Sequence, residues 1–239
     1  MKNKVELIGW YGSDEVIACS AWTSTSRELT DDKKERIPKL IESLWNAGHE
    51  TPFEKATLHF LIDCDIASHI HLLKHRMSSI NAESARYKEL KEDKMYIPED
   101  WKKMDVFNSF KYDGHPEGCF FEGKITPNEL WSDVLYVYAK LGNFLYHKCL
   151  EDLTPRLGRK RAKESARFFK TYNSQIQADV MFNMRSFANF VKLRNSEHAQ
   201  LEIREIAQEM WNLIESIEGN PFKYTLTVIK NKIENESKN

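Results

Sequence analysis

The stretch that says most about the fold is KHRMSSINAESARY, residues 74–87. It places three cations and a histidine around small hydroxyl residues, and these are groups that bind phosphate oxygens. Lys74, His75 and Arg76 are consecutive, so their side chains point in different directions on any regular element. The stretch therefore favours a ligand with several phosphates, or two ligands that meet. A solvated basic loop is the alternative interpretation.

Composition limits the classes of ligand and partner. The 239 residues are 41% hydrophobic, which is enough for the core of one large domain. The formal net charge is -1, so the cations must act locally. We therefore expect small anionic ligands, with neither a nucleic acid polymer nor a membrane as a partner.

The cysteines and histidines give no sign of a disulfide framework or a metal site. Cys19, Cys64, Cys119 and Cys149 are scattered, and the N-terminal residues lack a secretory signal. We therefore expect a reducing, cytoplasmic location. His69 and His71 are two residues apart on a predicted helix and diverge, so a metal site that includes them and His75 is disfavoured.

Periodicity predicts a mixture of strands and helices. Residues 88–126 are rich in Lys, Asp, Gly and Pro and are predicted to form an exposed excursion. The predicted strands or extended segments cover residues 5–8, 16–19, 56–64 and 172–182. The predicted helices cover residues 32–47, 66–74, 128–150, 155–170, 183–191 and 196–217.

Three blocks of sequence together resemble one known family. Residues 74–87 contain Lys-His-Arg, seven further residues, then Ser-Ala-Arg-Tyr; residues 49–54 read His-Glu-Thr-Pro-Phe-Glu; residues 183–200 contain Asn-Met-Arg-Ser-Phe-Ala-Asn-Phe, Leu-Arg and Ser-Glu-His-Ala-Gln. Their order and spacing are similar to those of the flavin-dependent thymidylate synthases, the ThyX family. The resemblance covers roughly residues 15–218, and three ordered blocks are far more specific than one motif.

The resemblance implies an α+β fold of one catalytic domain over residues 1–239, with a central, mostly antiparallel sheet flanked by helices. It also implies FAD at subunit interfaces of a homotetramer. The chain has nine glycines and no Gly-rich phosphate loop, so side chains must hold the flavin. Independently, Arg185 and Asn189 are i and i+4 on a predicted helix and share a face. The residues to which the resemblance assigns flavin binding are His49, Thr51, Glu54, Lys74, His75, Arg76, Asn183, Arg185 and Asn189.

The implied reaction is reductive methylation of dUMP to dTMP, with NADPH and methylenetetrahydrofolate as co-substrates. In this interpretation Ser84 orients the nucleotide and Arg194 contacts and polarises the pyrimidine, and these two residues are the catalytic candidates. The family places the arginine that matches Arg167 on a neighbouring subunit. The implied substrate-binding residues are His71, Ser84, Ala85, Arg86, Arg167 and Arg194.

Three positions depart from the family pattern, and all lie where the nucleotide is expected. Lys74 replaces the first arginine of the signature, His71 stands where glutamine is usual, and Ala82 replaces a glutamate or glutamine. A lysine cannot reproduce a bidentate arginine fork, and lost polar partners can change base selection. A flavin enzyme that hydroxymethylates dCMP is therefore an alternative function. A non-catalytic flavin- or nucleotide-binding homologue is the second alternative.

Overall fold

The computed structural model describes residues 2–106, 110–112, 123–125 and 129–236. The strands are β1 (Lys4–Tyr11), β2 (Thr57–Asp65), β3 (Ser78–Ala82), β4 (Phe110–Tyr112), β5 (Gly123–Ile125) and β6 (Gln175–Asn183). The helices are α1 (Asp14–Ala21), α2 (Asp31–Asn46), α3 (Ile66–Leu73), α4 (Trp131–Leu157), α5 (Arg159–Ala166), α6 (Met184–Arg194), α7 (Leu201–Glu215) and α8 (Lys223–Glu236).

The main sheet has four strands in the order β1-β2-β6-β3. β1 pairs antiparallel with β2, and β3 pairs antiparallel with β6. Along β2 the side chains alternate between buried and half-buried, as a strand with one face on the core requires. The predicted α+β fold with a mostly antiparallel sheet is therefore confirmed.

The chain forms two compact units. The first, which we call the sheet unit, comprises Asn3–Asp63, Ser68–Ala82 and Gln177–Asn239. The second, the helical unit, comprises Met1–Lys2, Cys64–Ala67 and Glu83–Ile176. The prediction that residues 1–239 act as one catalytic domain stays a prediction.

Aromatic side chains dominate the core of the sheet unit. Phe187 of α6 stacks on Phe60 of β2, with 6.0 Å between ring centroids, and on Trp211 of α7, with 6.4 Å. Phe182 of β6 packs edge-on against Phe187 at 6.2 Å. Aromatic pairs of this kind contribute about 0.5–1.5 kcal/mol beyond area burial. They fix α6 under the sheet, and α6 carries much of the candidate site.

The predicted strand over residues 16–19 is wrong, because these residues belong to α1. Ser13 caps this helix: its Oγ accepts a hydrogen bond from the Val16 N–H at 3.2 Å. Asp14 and Glu15 add negative charge at the helix N-terminus, which is stabilising there. Gly12 permits the turn that precedes the helix. Its φ is +92°, and a Cβ would lie 3.0 Å from the Ala56 Cα.

Further elements differ from prediction, among them α8, for which no helix is predicted. Residues 78–82, for which neither a strand nor a helix is predicted, form β3 and pair with β6 from Ser78–Phe182 to Ala82–Ala178. The predicted helix boundary between residues 150 and 155 is also wrong, since α4 continues through Pro155. A proline in the last turn forfeits only one helical hydrogen bond, and the helix ends at Gly158, whose φ is +77°.

The helical unit is organised by α4 and α5. Tyr146 and Leu150 of α4 pack on Ala162 and Ala166 of α5 in a buried cluster. Gly142 of α4 lets another segment approach closely, because a Cβ there would lie 2.5 Å from the Phe169 carbonyl oxygen. The backbone of the turn Arg167–Phe169 can therefore lie directly against the helix.

The predicted excursion over residues 88–126 lies partly outside the described residues. Within its described part, Met95, Tyr96 and Val106 are buried rather than exposed. The Tyr96 N–H donates to the Asn173 carbonyl at 2.8 Å, which secures this segment inside the helical unit. In the described part of the chain, no helix is both long and apolar enough to cross a membrane.

Candidate active site

A cavity of about 510 Å³ opens in the sheet unit. Its walls come from α2, the turn Thr51–Lys55, the residues that follow α3, α6 and α8. The lining residues are Trp45, Glu50, Glu54, Lys74, His75, Arg76, Met77, Asn183, Arg185, Ser186, Ala188, Asn189, Lys192, Leu193, Arg194, Ile229, Lys232 and Ile233.

Arg185 is held by two carboxylates at one side of the cavity. Its Nε lies 2.7 Å from Glu50 Oε2, and its Nη1 lies 2.6 Å from Glu54 Oε1. The pairing leaves the guanidinium with further N–H donors, since arginine carries five. The three residues form a polar clamp whose arginine still has donors to offer a ligand.

Arg194 and His75 form a second pair in the cavity. Arg194 Nε donates to His75 Nε2 at 2.9 Å, so that nitrogen must carry a lone pair. Burial, the Arg194 charge and His71 together lower the pKa of His75 to about 4. The imidazole is therefore neutral at pH 7, with its proton on Nδ1. Its edge contact with Phe190, at 4.9 Å between centroids, fixes the ring plane.

The first turns of α6 supply two amide side chains. Asn183 caps the helix, and its Oδ1 accepts from the Ser186 N–H at 2.8 Å. The capping bond fixes the carboxamide and leaves its NH₂ group for other acceptors. Asn189 is exposed and lies one turn beyond Arg185, so both line the cavity as the i, i+4 spacing predicts.

The cavity is strongly cationic. Six of its lining residues are Lys or Arg and two are Glu, and His75 is neutral. Among the described residues, the side chains of Lys74 and Arg76 have no ion-pair partner. Unpaired cations and uncommitted amide donors fit a ligand with phosphates and a ring bearing polar edges. The lining therefore suits a flavin dinucleotide.

A second group of predicted residues lies in the helical unit. Arg86 Nε donates to Glu164 Oε1 of α5 at 2.9 Å, and this bond lowers the pKa of Glu164. Lys163 donates to the Tyr87 carbonyl at 2.6 Å, and Arg159 pairs with Glu89. The loop that carries Ser84 is thus bound along α5. Its main cation already has a carboxylate partner.

Arg167 stands next to a buried polar network. Lys170 lies three residues after Arg167, and its side chain is only 4% exposed. Its ammonium donates to Asp93 and to Asn143, at 2.8 Å each. Its ammonium also lies 4.5 Å from the centroid of Tyr146. These partners account for a lysine side chain that is almost fully buried in the helical unit. The Arg167 side chain itself is exposed.

A family model described as thymidylate synthase complementing protein matches residues 6–218. The chain belongs to this family. A flavin-dependent thymidylate synthase of Pseudothermotoga lettingae is 31% identical over 215 residues, which are 89% of this chain and 85% of the relative. One from Clostridium tetani is 26% identical over 230 residues, which are 93% and 86%.

A solved structure shares the fold. The UMP/dUMP methylase PolB from Streptomyces cacaoi, bound with 5-Br dUMP, matches with a TM-score of 0.71 at 24% identity, covering 96% of this chain and 95% of PolB. Together with the family match, these likenesses confirm the predicted family and the prediction of a methyltransferase enzyme.

Most of the flavin residues expected from the thymidylate synthase complementing family lie together. Seven of the nine line the cavity: Glu54, Lys74, His75, Arg76, Asn183, Arg185 and Asn189. The other two, His49 and Thr51, are exposed and do not line it. Of the nucleotide residues, Arg194 lines the cavity, whereas Ser84, Ala85, Arg86 and Arg167 belong to the helical unit.

The histidines do not converge on one point. His71 Nε2 lies 3.1 Å from Gln200 Oε1, and His75 is bound to Arg194. His69 is buried, which lowers its pKa, and its Nδ1 has no hydrogen-bond partner. Over the described ranges, no group of three His, Cys, Asp or Glu side chains is arranged to hold a metal ion.

Sequence reasoning missed several cavity residues. Glu50 lies in the His-Glu-Thr-Pro-Phe-Glu segment, but the resemblance assigns it no role, and in the structure it holds Arg185. The family pattern around residues 49–54 could have signalled it, because two glutamates there are one helical turn apart. Trp45, Lys192 and Lys232 had no motif to mark them, and they lie near the site only through the packing of α2, α6 and α8.

Proposed function

We propose that the protein methylates dUMP at C5 to form dTMP, with FAD as cofactor and with NADPH and methylenetetrahydrofolate as co-substrates. The observation that carries this proposal is the cationic cavity, in which seven residues expected to hold flavin lie together. The names of its relatives support the same reaction, since they are described as flavin-dependent thymidylate synthases.

The cavity residues would hold the flavin by their charges and amides. Lys74 and Arg76 offer unpaired cations to phosphate oxygens, and Asn183 and Asn189 offer donors to ring edges. Arg185 has further N–H donors that its bonds to Glu50 and Glu54 do not use. The flavin, when bound, would carry the redox step, accepting a hydride from NADPH.

The nucleotide phosphate would be held by Ser84, Ala85 and Arg86, and by Arg167 contributed from a neighbouring subunit. Ser84 Oγ accepts from the Arg86 N–H at 3.4 Å, a weak bond that a phosphate oxygen could replace. Arg86 would exchange Glu164 for the phosphate, which is an exchange of one anion for another. Arg194 would donate to the pyrimidine, because a guanidinium is a pure donor that suits a carbonyl oxygen.

The overall reaction balances without a protein nucleophile. A methylene group would move from the folate to C5 of dUMP, and the hydride from NADPH would complete the methyl group. The C5 proton and one proton from solvent would be taken up by the two folate nitrogens that release the methylene. The products are dTMP, tetrahydrofolate and NADP⁺. Ser84 orients the substrate, and Arg194 stabilises negative charge that develops on the pyrimidine carbonyl.

We also propose that the chain works as a homotetramer. Helix α4 exposes Val137 by 66%, Tyr138 by 60% and Phe144 by 57%. An apolar surface of this kind on a helix favours burial against another protein surface. Mass determination by light scattering would test it, and a monomer at micromolar concentration would contradict it.

One experiment tests the reaction. The purified protein is incubated with FAD, NADPH, methylenetetrahydrofolate and either dUMP or dCMP, and products are identified by mass spectrometry. Reactions that lack NADPH or folate are the controls. A methyl group on dUMP supports the proposal, and a hydroxymethyl group on dCMP supports the alternative activity. Flavin binding without any product leaves the binding-protein interpretation.

A further inference from the structure

Helix α8 forms one wall of the cavity, although it lies beyond residue 218, where the family match ends. Ile229, Lys232 and Ile233 of α8 line the cavity opposite residues expected to hold flavin. Ile229 is 1% exposed, so the helix is packed into the core of the sheet unit rather than attached to its surface. A ligand in the cavity would therefore meet α8.

The structure fixes α8 near both ends. Asp14 of α1 caps its N-terminus, accepting from the N–H groups of Tyr224 and Thr225 at 2.7 and 3.0 Å and from Thr225 Oγ1 at 2.6 Å. Near the other end, Glu236 pairs with Lys192 of α6 at 2.7 Å. Bonds at both ends hold the wall in register with the cavity.

Lys232 is the cation that α8 contributes. Its ammonium lies 5.6 Å from the centroid of the Trp45 ring, and it has no carboxylate partner in the described part of the chain. Trp45 is 6% exposed, and its Nε1 is buried without an acceptor. In this wall, the unpaired ammonium of Lys232 therefore lies beside the Trp45 Nε1–H, a donor without an acceptor. The neighbouring Lys192, by contrast, is paired with Glu236.

We propose that Lys232, resting on Trp45, forms a phosphate subsite for a dinucleotide. This inference rests on the proposed function, because it assigns the subsite to a ligand of the same cavity. The phosphate belongs either to FAD or to NADPH, since both carry a diphosphate. The aromatic ring keeps the ammonium directed into the cavity, and the surplus of cations there draws in the anion.

The experiment compares Lys232→Met with Lys230→Met. Both lysines lie on α8 and are exposed, but Lys230 does not line the cavity. Methionine preserves the apolar stem and removes the charge. Flavin fluorescence titrations measure the affinities for FAD and for riboflavin, which has no phosphate, and NADPH binding is measured on the FAD-loaded protein.

Loss of one charge-assisted contact should weaken binding of FAD or of NADPH by about tenfold in Lys232→Met. The affected dinucleotide identifies the source of the phosphate. Riboflavin affinity should not change, and Lys230→Met should behave as the wild type.

The subsite would be overturned if Lys232→Met bound FAD as tightly as Lys230→Met does and also bound NADPH as tightly as Lys230→Met does. A parallel loss of riboflavin affinity would also overturn it, because it would mean that Lys232 supports packing rather than phosphate binding. If the wild type forms dTMP while Lys232→Met binds normally, only the subsite fails. If the wild type binds neither dinucleotide, the proposed function fails with it.

Discussion

The two ends of the signature differ in how their cations are paired. At its start, Lys74 and Arg76 line the cavity of the sheet unit without ion-pair partners among the described residues. At its end, Arg86 in the helical unit is bound to Glu164. Residues ten apart in one motif therefore present opposite electrostatic situations. Lys74 and Arg76 can donate to a ligand directly, whereas Arg86 must first exchange Glu164 for the ligand.

The difference shows why a basic motif alone does not define an anion site. An ion pair at the protein surface contributes little to stability, so a phosphate can displace Glu164 from Arg86 at small cost. The unpaired cations of the cavity instead repel one another, and a bound anion would offset this repulsion. We expect the cavity end to control flavin binding and the loop end to adjust nucleotide affinity.

The largest effect should come from Arg194→Ala. Removing a donor that stabilises developing charge typically lowers kcat by about 10²–10³-fold. Flavin absorbance should remain, because other residues supply the cavity's phosphate contacts. Steady-state kinetics with flavin quantification provide the measurement, and Arg204→Ala, an arginine on α7 outside the cavity lining, is the control. Equal kcat values in the two variants would rule out a catalytic role for Arg194.

Arg185→Ala should release the flavin. Loss of hydrogen bonds from a charged group costs about 1.5–3 kcal/mol, or roughly 10–150-fold in FAD affinity. Glu50 and Glu54 would also lose their shared partner and repel the flavin phosphates. Nucleotide binding, measured by calorimetry, should change far less. Retention of wild-type flavin content after gel filtration would show that the cavity end is not the flavin site.

Arg86→Ala should give the reverse pattern at the loop end. Nucleotide affinity should fall about tenfold, since one charge-assisted contact is lost, while flavin absorbance stays nearly intact. Lys160→Ala, a change on the adjacent basic helix α5, is the matched control. A variant that loses flavin instead would mean that the two ends do not serve separate ligands.

The sequence predicted the elements that carry regular patterns. β2 has alternating apolar residues, α2 and α6 have helical spacing, and the i, i+4 relation of Arg185 and Asn189 placed both in the cavity. These features depend on local periodicity, which is visible in one chain.

The missed features depend on distant partners. Residues 16–19 have strand-like types, but the Ser13 cap selects a helix. β3 has few apolar residues and exists because β6 pairs with it. Helix α8 is anchored by Asp14, more than two hundred positions earlier in the chain. The pairing of Arg86 with Glu164 likewise joins residues 78 positions apart, which no local pattern reveals.

The low pKa of His75 provides a test of the cavity end by pH. The unfolded chain binds a proton near pH 6.5, whereas folded His75 binds one only near pH 4. The contribution of His75 to the free energy of unfolding is therefore fully present above its pKa in the unfolded chain, and it falls as pH drops toward 4. The loss should be on the order of 1 kcal/mol once solvent screening of the half-buried ring is considered.

Urea unfolding at about pH 7 and about pH 4.5 should show this loss in the wild type and a smaller loss in His75→Asn. Burial raises the pKa of Asp14, which acts in the opposite direction, but it contributes equally to both proteins. His198→Asn, at an exposed histidine, is the control. The same pH dependence in wild type and His75→Asn would mean that His75 is protonated normally in the folded state.

The smallest and most discriminating change is Glu164→Gln. It keeps the shape of the residue that holds Arg86 and removes the charge that competes with phosphate. Freed from this weak surface ion pair, Arg86 should bind dUMP about two- to threefold more tightly. Glu151→Gln, which removes an equal charge from an exposed position on α4, corrects for the change in net charge. Calorimetry in low and high salt would separate a local partner exchange, which persists in salt, from a general field, which is screened. Weaker dUMP binding in Glu164→Gln would show that Glu164 positions Arg86 for the phosphate rather than competing with it.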